Sequence, residues 1–149
     1  TALNIIPDSA ELAGTVRSLR GAVTEQTRQR IQAICEGQAA SLGASVQINF
    51  LPSYPVTFNH PHETRFAQEV AGKIVGASNV DGDIAPTMGG EDFSYMLEAR
   101  PGAMIWIGNG DSEGLHNAAY DFDDEAIPFG ISYWVALAES APFFQCQDA

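Results

Sequence analysis

Three histidines, two cysteines and 19 acidic residues are the side chains of this 149-residue chain best suited to bind a metal, move a proton or attack a substrate. Their spacing narrows the choice. His116 stands in a polar, glycine-rich stretch, residues 108–119, directly behind the apolar run Ala103-Met104-Ile105-Trp106-Ile107. Ligands gather beyond the carboxyl ends of strands in open α/β sheets, yet one histidine makes no metal site, because three or four donors are needed. On composition alone His116 reads as a surface loop histidine. His60 and His62 flank Pro61, and side chains two apart at a helix start converge poorly on one ion, so capping and solvation explain them. Asp81-Gly82-Asp83 opens like a calcium loop but lacks the later ligands and the closing glutamate. It reads as a turn. Asp121, Asp123, Asp124 and Glu125 complement the positive end of a helix, and Glu91-Asp92 has the same explanation. There Gly89 and Gly90 add an alternative, since glycines before a helix N-terminus let the backbone approach a ligand closely. No serine elbow or Walker loop is present, and neither Cys35 nor Cys146 has an activating motif.

The elements that must position these residues follow from apolar periodicity. Residues 11–19 alternate, with Leu12, Val16 and Ser18 on one side and Ala13, Thr15, Arg17 and Leu19 on the other, which predicts a strand. Thr24 has the chemistry of an N-cap for a helix over 24–42, with Ile31, Ile34, Cys35, Gln38 and Leu42 as its stripe and Gly43 as its stop. Val46, Ile48 and Phe50 alternate again before Pro52 and Pro55 end any ladder, so a domain boundary is expected there. Asn59 or His60 precedes a helix that Pro61 opens, Phe66, Val70, Ala71 and Ile74 line, and Gly76 ends. A short helix is expected over 91–98, with Phe93, Met96 and Leu97 inward. Residues 103–107, apolar on both faces, predict a fully covered central strand. A last helix carries Ile127, Ile131, Trp134, Val135 and Ala138 as its stripe. The order predicts an α/β fold.

Composition excludes several classes of function. The net charge of −12 would repel a phosphate backbone, so no nucleic-acid partner is expected. No apolar run approaches the roughly 20 residues that cross a bilayer, and no charged-then-apolar leader opens the chain. No membrane partner is expected, and two cysteines without a framework read as free thiols in a cytoplasmic protein.

Four stretches together carry a resemblance. Asn4-Ile5-Ile6-Pro7-Asp8 with Gly14-Thr15-Val16-Arg17, then Met88-Gly89-Gly90-Glu91-Asp92-Phe93-Ser94-Tyr95, then Leu115-His116-Asn117, then Tyr120-Asp121-Phe122-Asp123-Asp124-Glu125-Ala126 resemble the metal-dependent amidohydrolases that include hippurate hydrolase, N-acyl-amino-acid amidohydrolase and the plant auxin-conjugate hydrolases. The likeness runs from residue 4 to about residue 140. It implies half of an α+β lid domain that mediates dimerisation, residues 1–55, followed by the C-terminal part of an α/β catalytic domain, residues 56–141. Residues 142–149 are then an atypical tail. His116 matches the family's last metal-binding histidine, and Asn4 and Arg17 match lid positions that hold a substrate carboxylate or carbonyl. Guanidinium suits the first of these groups and an amide the second. Gly89, Gly90 and Glu91 match a substrate-side loop. The cofactors implied are divalent ions, Zn, Mn, Co or Ni, and the substrate an N-acyl amino acid of the hippurate kind. The catalytic glutamate and the other metal ligands have no counterpart here, so the chain resembles a C-terminal fragment, inactive alone. Two further readings stand beside this one: a non-catalytic dimerisation module, and an acidic ligand-binding domain without metal.

Overall fold

The computed structural model describes residues 4–141, so the expected tail at 142–149, with Cys146, lies outside the described residues. Four α-helices follow one another: α1 (Gly21–Ser41), α2 (Pro61–Val75), α3 (Phe93–Ala99) and α4 (Ala126–Ser140), with a 3₁₀ turn at Ala77–Asn79 after α2. The chain divides into two compact units, one ending at Val56 and one beginning at Thr57.

In the first unit α1 starts three residues before Thr24. Arg20 is its N-cap without a side-chain cap bond, and the Thr24 hydroxyl instead shares a 2.7 Å hydrogen bond with Ser18 Oγ. Ser18 also donates to Arg20 C=O (2.8 Å), so the entry turn is organised from a residue three positions before the helix. The stop is as expected. Gly43 has φ +67°, its N–H bonds Ala40 C=O at 3.3 Å and the Ala44 N–H bonds Ala39 C=O at 2.9 Å, the paired bonds of a Schellman motif. The expected stripe is displaced: the half-buried ridge is Thr27, Ile31, Cys35 and Ala39, while Ile34 is 58% and Leu42 80% exposed, and no residue of α1 is buried. The expected strand at 11–19 is extended chain, in which Val16 and Ser18 are half-buried and their neighbours exposed. Leu12, expected on the same side, is 93% exposed, so the alternation is kept only at Val16 and Ser18 and no ladder forms among the described residues.

The second unit has a core. His60 is the N-cap residue of α2, Pro61 takes its first position and Gly76 ends it at φ +84°. α2 packs on α4 and on the 3₁₀ turn, and Ala67, Val70, Leu97 and Tyr133 are buried. Burial pushes the Tyr133 phenol above its usual range. In α4 the packed side is Ala126, Gly130, Tyr133, Leu137 and Ser140, at spacings of four and three. The stripe expected to face inward is therefore on the other side, with Ile127, Ile131, Trp134 and Val135 exposed. An all-round apolar helix gives no unique inward face, and the small residues at 126 and 130 admit the closer approach. α3 begins at Phe93, and Met96 points outward while Ser94 and Leu97 are buried.

The α/β expectation needs correction at the level of strands. Among the described residues no strand is assigned at 11–19, 46–50 or 103–107. The run at 103–107 is not a covered central strand, since Trp106 is 55% exposed and Ile105 and Ile107 are exposed beside it. The physical reason is that a helix satisfies its own backbone groups, whereas a strand needs a neighbour's N–H and C=O groups in register. Among the described residues one piece of such pairing is seen: His60 N–H bonds Gly102 C=O at 3.0 Å.

Candidate functional site

His116 sits at the tip of a loop whose base is tied by one side chain. The Asn109 amide Nδ2 donates to Asp121 C=O at 2.7 Å and to Ser112 Oγ at 2.8 Å, and its Oδ1 accepts the Asp123 N–H at 2.8 Å. Asp123 in turn accepts the Glu125 N–H at 3.0 Å just before α4 begins. Gly110 has φ +70°, and a Cβ there would stand 3.3 Å from Asp123 Oδ2, so the backbone passes close to this carboxylate.

The tip is a second tied turn. Asn117 N–H bonds Gly114 C=O at 3.2 Å, which makes His116 the third residue of a four-residue turn. Its φ is +68°, and among the described residues no other non-glycine side chain has a positive φ. A positive φ at that position is the mark of a type II turn and normally selects Gly or Asn. The Asn117 side chain holds the turn from both sides, donating to Glu113 Oε2 (3.0 Å) and accepting from the Ala119 N–H (2.9 Å). The imidazole itself is exposed and, among the described residues, makes no hydrogen bond of its own. Residues 108–125 carry Asp111, Glu113, Asp121, Asp123, Asp124 and Glu125 and no lysine or arginine, a field that favours cations.

The apolar run behind the loop is pinned by the start of α2. Asn59 Nδ2 donates to Met104 C=O at 2.8 Å and its Oδ1 accepts the Met104 N–H at 2.9 Å, so one amide side chain imitates a ladder partner. His60 adds a contact between its Nδ1 and the Gly102 N–H at 3.2 Å. His60 stands at the N-cap position of α2 without a side-chain cap bond, and its ring anchors the Gly102 backbone instead, which gives it a structural role.

Gly89, Gly90 and Glu91 precede α3. The Glu91 C=O accepts the Ser94 hydroxyl at 2.6 Å and the Ser94 N–H at 3.2 Å, so the fully buried Ser94 secures the turn that carries the half-buried Glu91. A Cβ at Gly89 would meet Glu91 Oε1 at 3.8 Å, an ordinary contact, so the fold there does not require glycine by crowding. Asn4 and Arg17 belong to the first unit and are exposed; Arg17 Nη1 donates to Thr15 Oγ1 at 2.9 Å. No hydrogen bond joins His116 to Gly89, Gly90 or Glu91 among the described residues, and no three His, Cys, Asp or Glu side chains converge there to hold a metal ion. The sequence does not single out Asn109, and it offers Asn59 only as a residue before the α2 helix, not as the partner of Met104. Gly108-Asn109-Gly110 is a turn signature that could have found Asn109, whereas nothing local marks the pairing of Asn59 with Met104.

No helix among the described residues is long and apolar enough to cross a membrane. Comparison with known proteins gives the chain a family. Hippurate hydrolase of Campylobacter jejuni is 34% identical over 137 residues, covering 92% of this chain and 36% of that protein. N-acetylcysteine deacetylase of Bacillus subtilis is 33% identical over 138 residues (93% and 36%), and N-acetyldiaminopimelate deacetylase of Enterococcus faecalis 36% over 132 (88% and 34%). The chain therefore spans about a third of the length of the curated relatives it matches. No solved structure matches it significantly. Residues 5–140 match Peptidase family M20/M25/M40, a span that takes in both units and the His116 loop, and the chain belongs to that family.

Proposed function

We propose that this chain is part of a metal-dependent amidohydrolase that cleaves the amide bond of N-acyl amino acids, in which His116 donates its imidazole to a divalent ion. The observation that carries the reading is the backbone at His116. A non-glycine residue with a left-handed φ costs about 1 kcal/mol or more locally, and such costs gather where function needs a side chain aimed in one direction. Glycine would hold this turn at less cost, and histidine is one of the few other residues that visit it, so the left-handed backbone supports an aimed imidazole.

The described residues do not by themselves fit a divalent ion. His116 is one donor, three or four are needed, and no second donor cluster stands beside it. No step of hydrolysis is therefore assigned to this chain alone, and the isolated chain is expected to be inactive. Zn, Mn, Co or Ni would suit a site completed by other parts of the enzyme. Within this reading Arg17 binds the substrate carboxylate through paired hydrogen bonds, and Asn4 directs its amide to the scissile carbonyl. Gly89, Gly90 and Glu91 line the substrate side. The unit ending at Val56 is half of an α+β dimerisation lid, through which two copies pair. The unit from Thr57 belongs to an α/β catalytic domain. Relatives named for hippurate, N-acetylcysteine and N-acetyldiaminopimelate support the substrate class, since each name describes an acylated amine that also bears a carboxylate.

A non-catalytic module, a lid half that pairs with itself, is the competing reading, supported by the apolar Ile34, Leu42 and Leu51 exposed in the first unit. The two separate on turnover. The enzyme that carries this chain should hydrolyse hippurate or N-acetyl amino acids in a chelator-sensitive way. In it, Arg17→Ala should lower kcat/KM for these substrates by roughly 10- to 100-fold and much less for their carboxamide analogues. Absence of turnover with every added metal would leave the module reading, and equal losses on both substrate types would remove Arg17 as the carboxylate ligand.

A further inference from the structure

We infer that Asn109 is a positioning residue for His116, acting as the latch of the loop that carries it. The inference deepens the functional reading above and rests on it for the role of His116, but the latch itself is a property of the fold. Residues 110–120 leave the apolar run at Asn109 and rejoin the chain at Asp121, and the side chain of Asn109 bonds the backbone at both Asp121 and Asp123 while also gripping Ser112 within the loop. A single amide supplies donor and acceptor together. No other natural side chain of that length does both except in protonated form: aspartate keeps the acceptor and loses the donors, and alanine loses everything.

The geometry gives this latch leverage over the imidazole. The Asn117 turn that sets the left-handed φ of His116 is local, spanning 113–119 through its own bonds, and fixes the shape of the tip but not its place. The ends of the loop are set by Asn109 on one side and by Asp121 and Asp123, which lead into α4, on the other. Asn109 is thus the side chain that refers the tip to the helical scaffold. Three hydrogen bonds converge on it, in a chain segment with glycines at 108, 110 and 114 that would otherwise leave the loop free.

The test separates the latch from the reading it serves. In the complete enzyme, stripped of metal, amide hydrogen exchange is followed in peptides covering 108–123 and, as reference, in peptides from α2 and the core of α4. Asn109→Ala should speed exchange at 108–123 by about tenfold or more, with the reference peptides unchanged. Asn109→Asp, which sets a carboxylate against the Asp121 carbonyl in an acidic loop, should speed exchange at least as much as Asn109→Ala, and Ser112→Ala, which removes one of the three bonds, should stay near the parent. Unchanged exchange at 108–123 in Asn109→Ala overturns the latch, as does acceleration spread equally over α2 and α4, which would make Asn109 a general fold residue. Metal content forms the second arm. With His116→Ala depleted of metal, Asn109→Ala should lose metal at least tenfold faster than the parent, and retention at the parental rate overturns the positioning role. If His116→Ala keeps its metal, the functional reading fails on its own arm while the exchange arm still decides the latch.

Discussion

The unit ending at Val56 and the unit beginning at Thr57 reach order by different means. In the first, a 21-residue helix has no buried residue, and its side-chain ties are between near neighbours: Arg28 to Glu25 at 3.3 Å, Gln29 to Glu25, Gln32 to Glu36. Arg28 over the ring of Phe50, 4.9 Å from its centroid, joins α1 to the following extended segment. In the second, α2 packs on α4, Val70, Leu97 and Tyr133 are buried, and side chains tie backbone 12 to 45 residues away. The difference teaches where an irregular loop can be held. A helix can persist on length and local pairs, whereas a loop with a left-handed histidine at its tip needs a packed scaffold at both ends.

Substitutions sharpen or break that contrast. Val70→Asp would place an unpaired carboxylate at a position with no solvent exposure, destabilising the second unit by on the order of 4 kcal/mol, while Ile34→Asp on exposed α1 should change stability by no more than about 0.5 kcal/mol. Denaturant unfolding reads both, and equal losses would mean that the first unit has a core of its own. Asn59→Ala comes next. Two hydrogen bonds to Met104 are lost, about 2 kcal/mol in all, and an unchanged midpoint would show that 102–104 is held by other means. Arg28→Ala should have a small effect as well, about 0.5 kcal/mol for an exposed cation–π contact. A loss of 2 kcal/mol or more would show that Phe50 anchors more than a side-chain edge.

The same contrast explains what could be read from the chain. The ends of α2 were legible because His60-Pro61 and Gly76 act within one turn of backbone, and Gly43 stopped α1 for the same reason. Thr24 misled, since Ser18 competes for its hydroxyl and the helix starts earlier. The side on which α4 packs was not legible, because Ile127, Ile131, Trp134 and Val135 are as apolar as the face that meets α2, and only the partner decides between them. The extended runs kept their alternation in sequence without a ladder, since register belongs to two segments and not to one. At the site, the glycine-rich composition around His116 announced a loop, but the turn chemistry of Gly108-Asn109-Gly110 went unread. The latch of Asn109 on Asp121 and Asp123 joins positions 12 and 14 residues apart, and that pairing is a product of folding.

The claim on which the account rests is that His116 accepts an unfavourable backbone conformation in order to present a metal-binding imidazole. His116→Gly tests both halves in one protein, through bound metal per chain and the unfolding free energy of the metal-free form. Relief of the left-handed φ, worth about 1 kcal/mol, less the greater freedom of glycine in the unfolded chain, predicts a metal-free stability equal to the parent or up to about 1 kcal/mol higher, together with loss of bound metal. Full metal occupancy in His116→Gly, or a metal-free form clearly less stable than the parent, would contradict it.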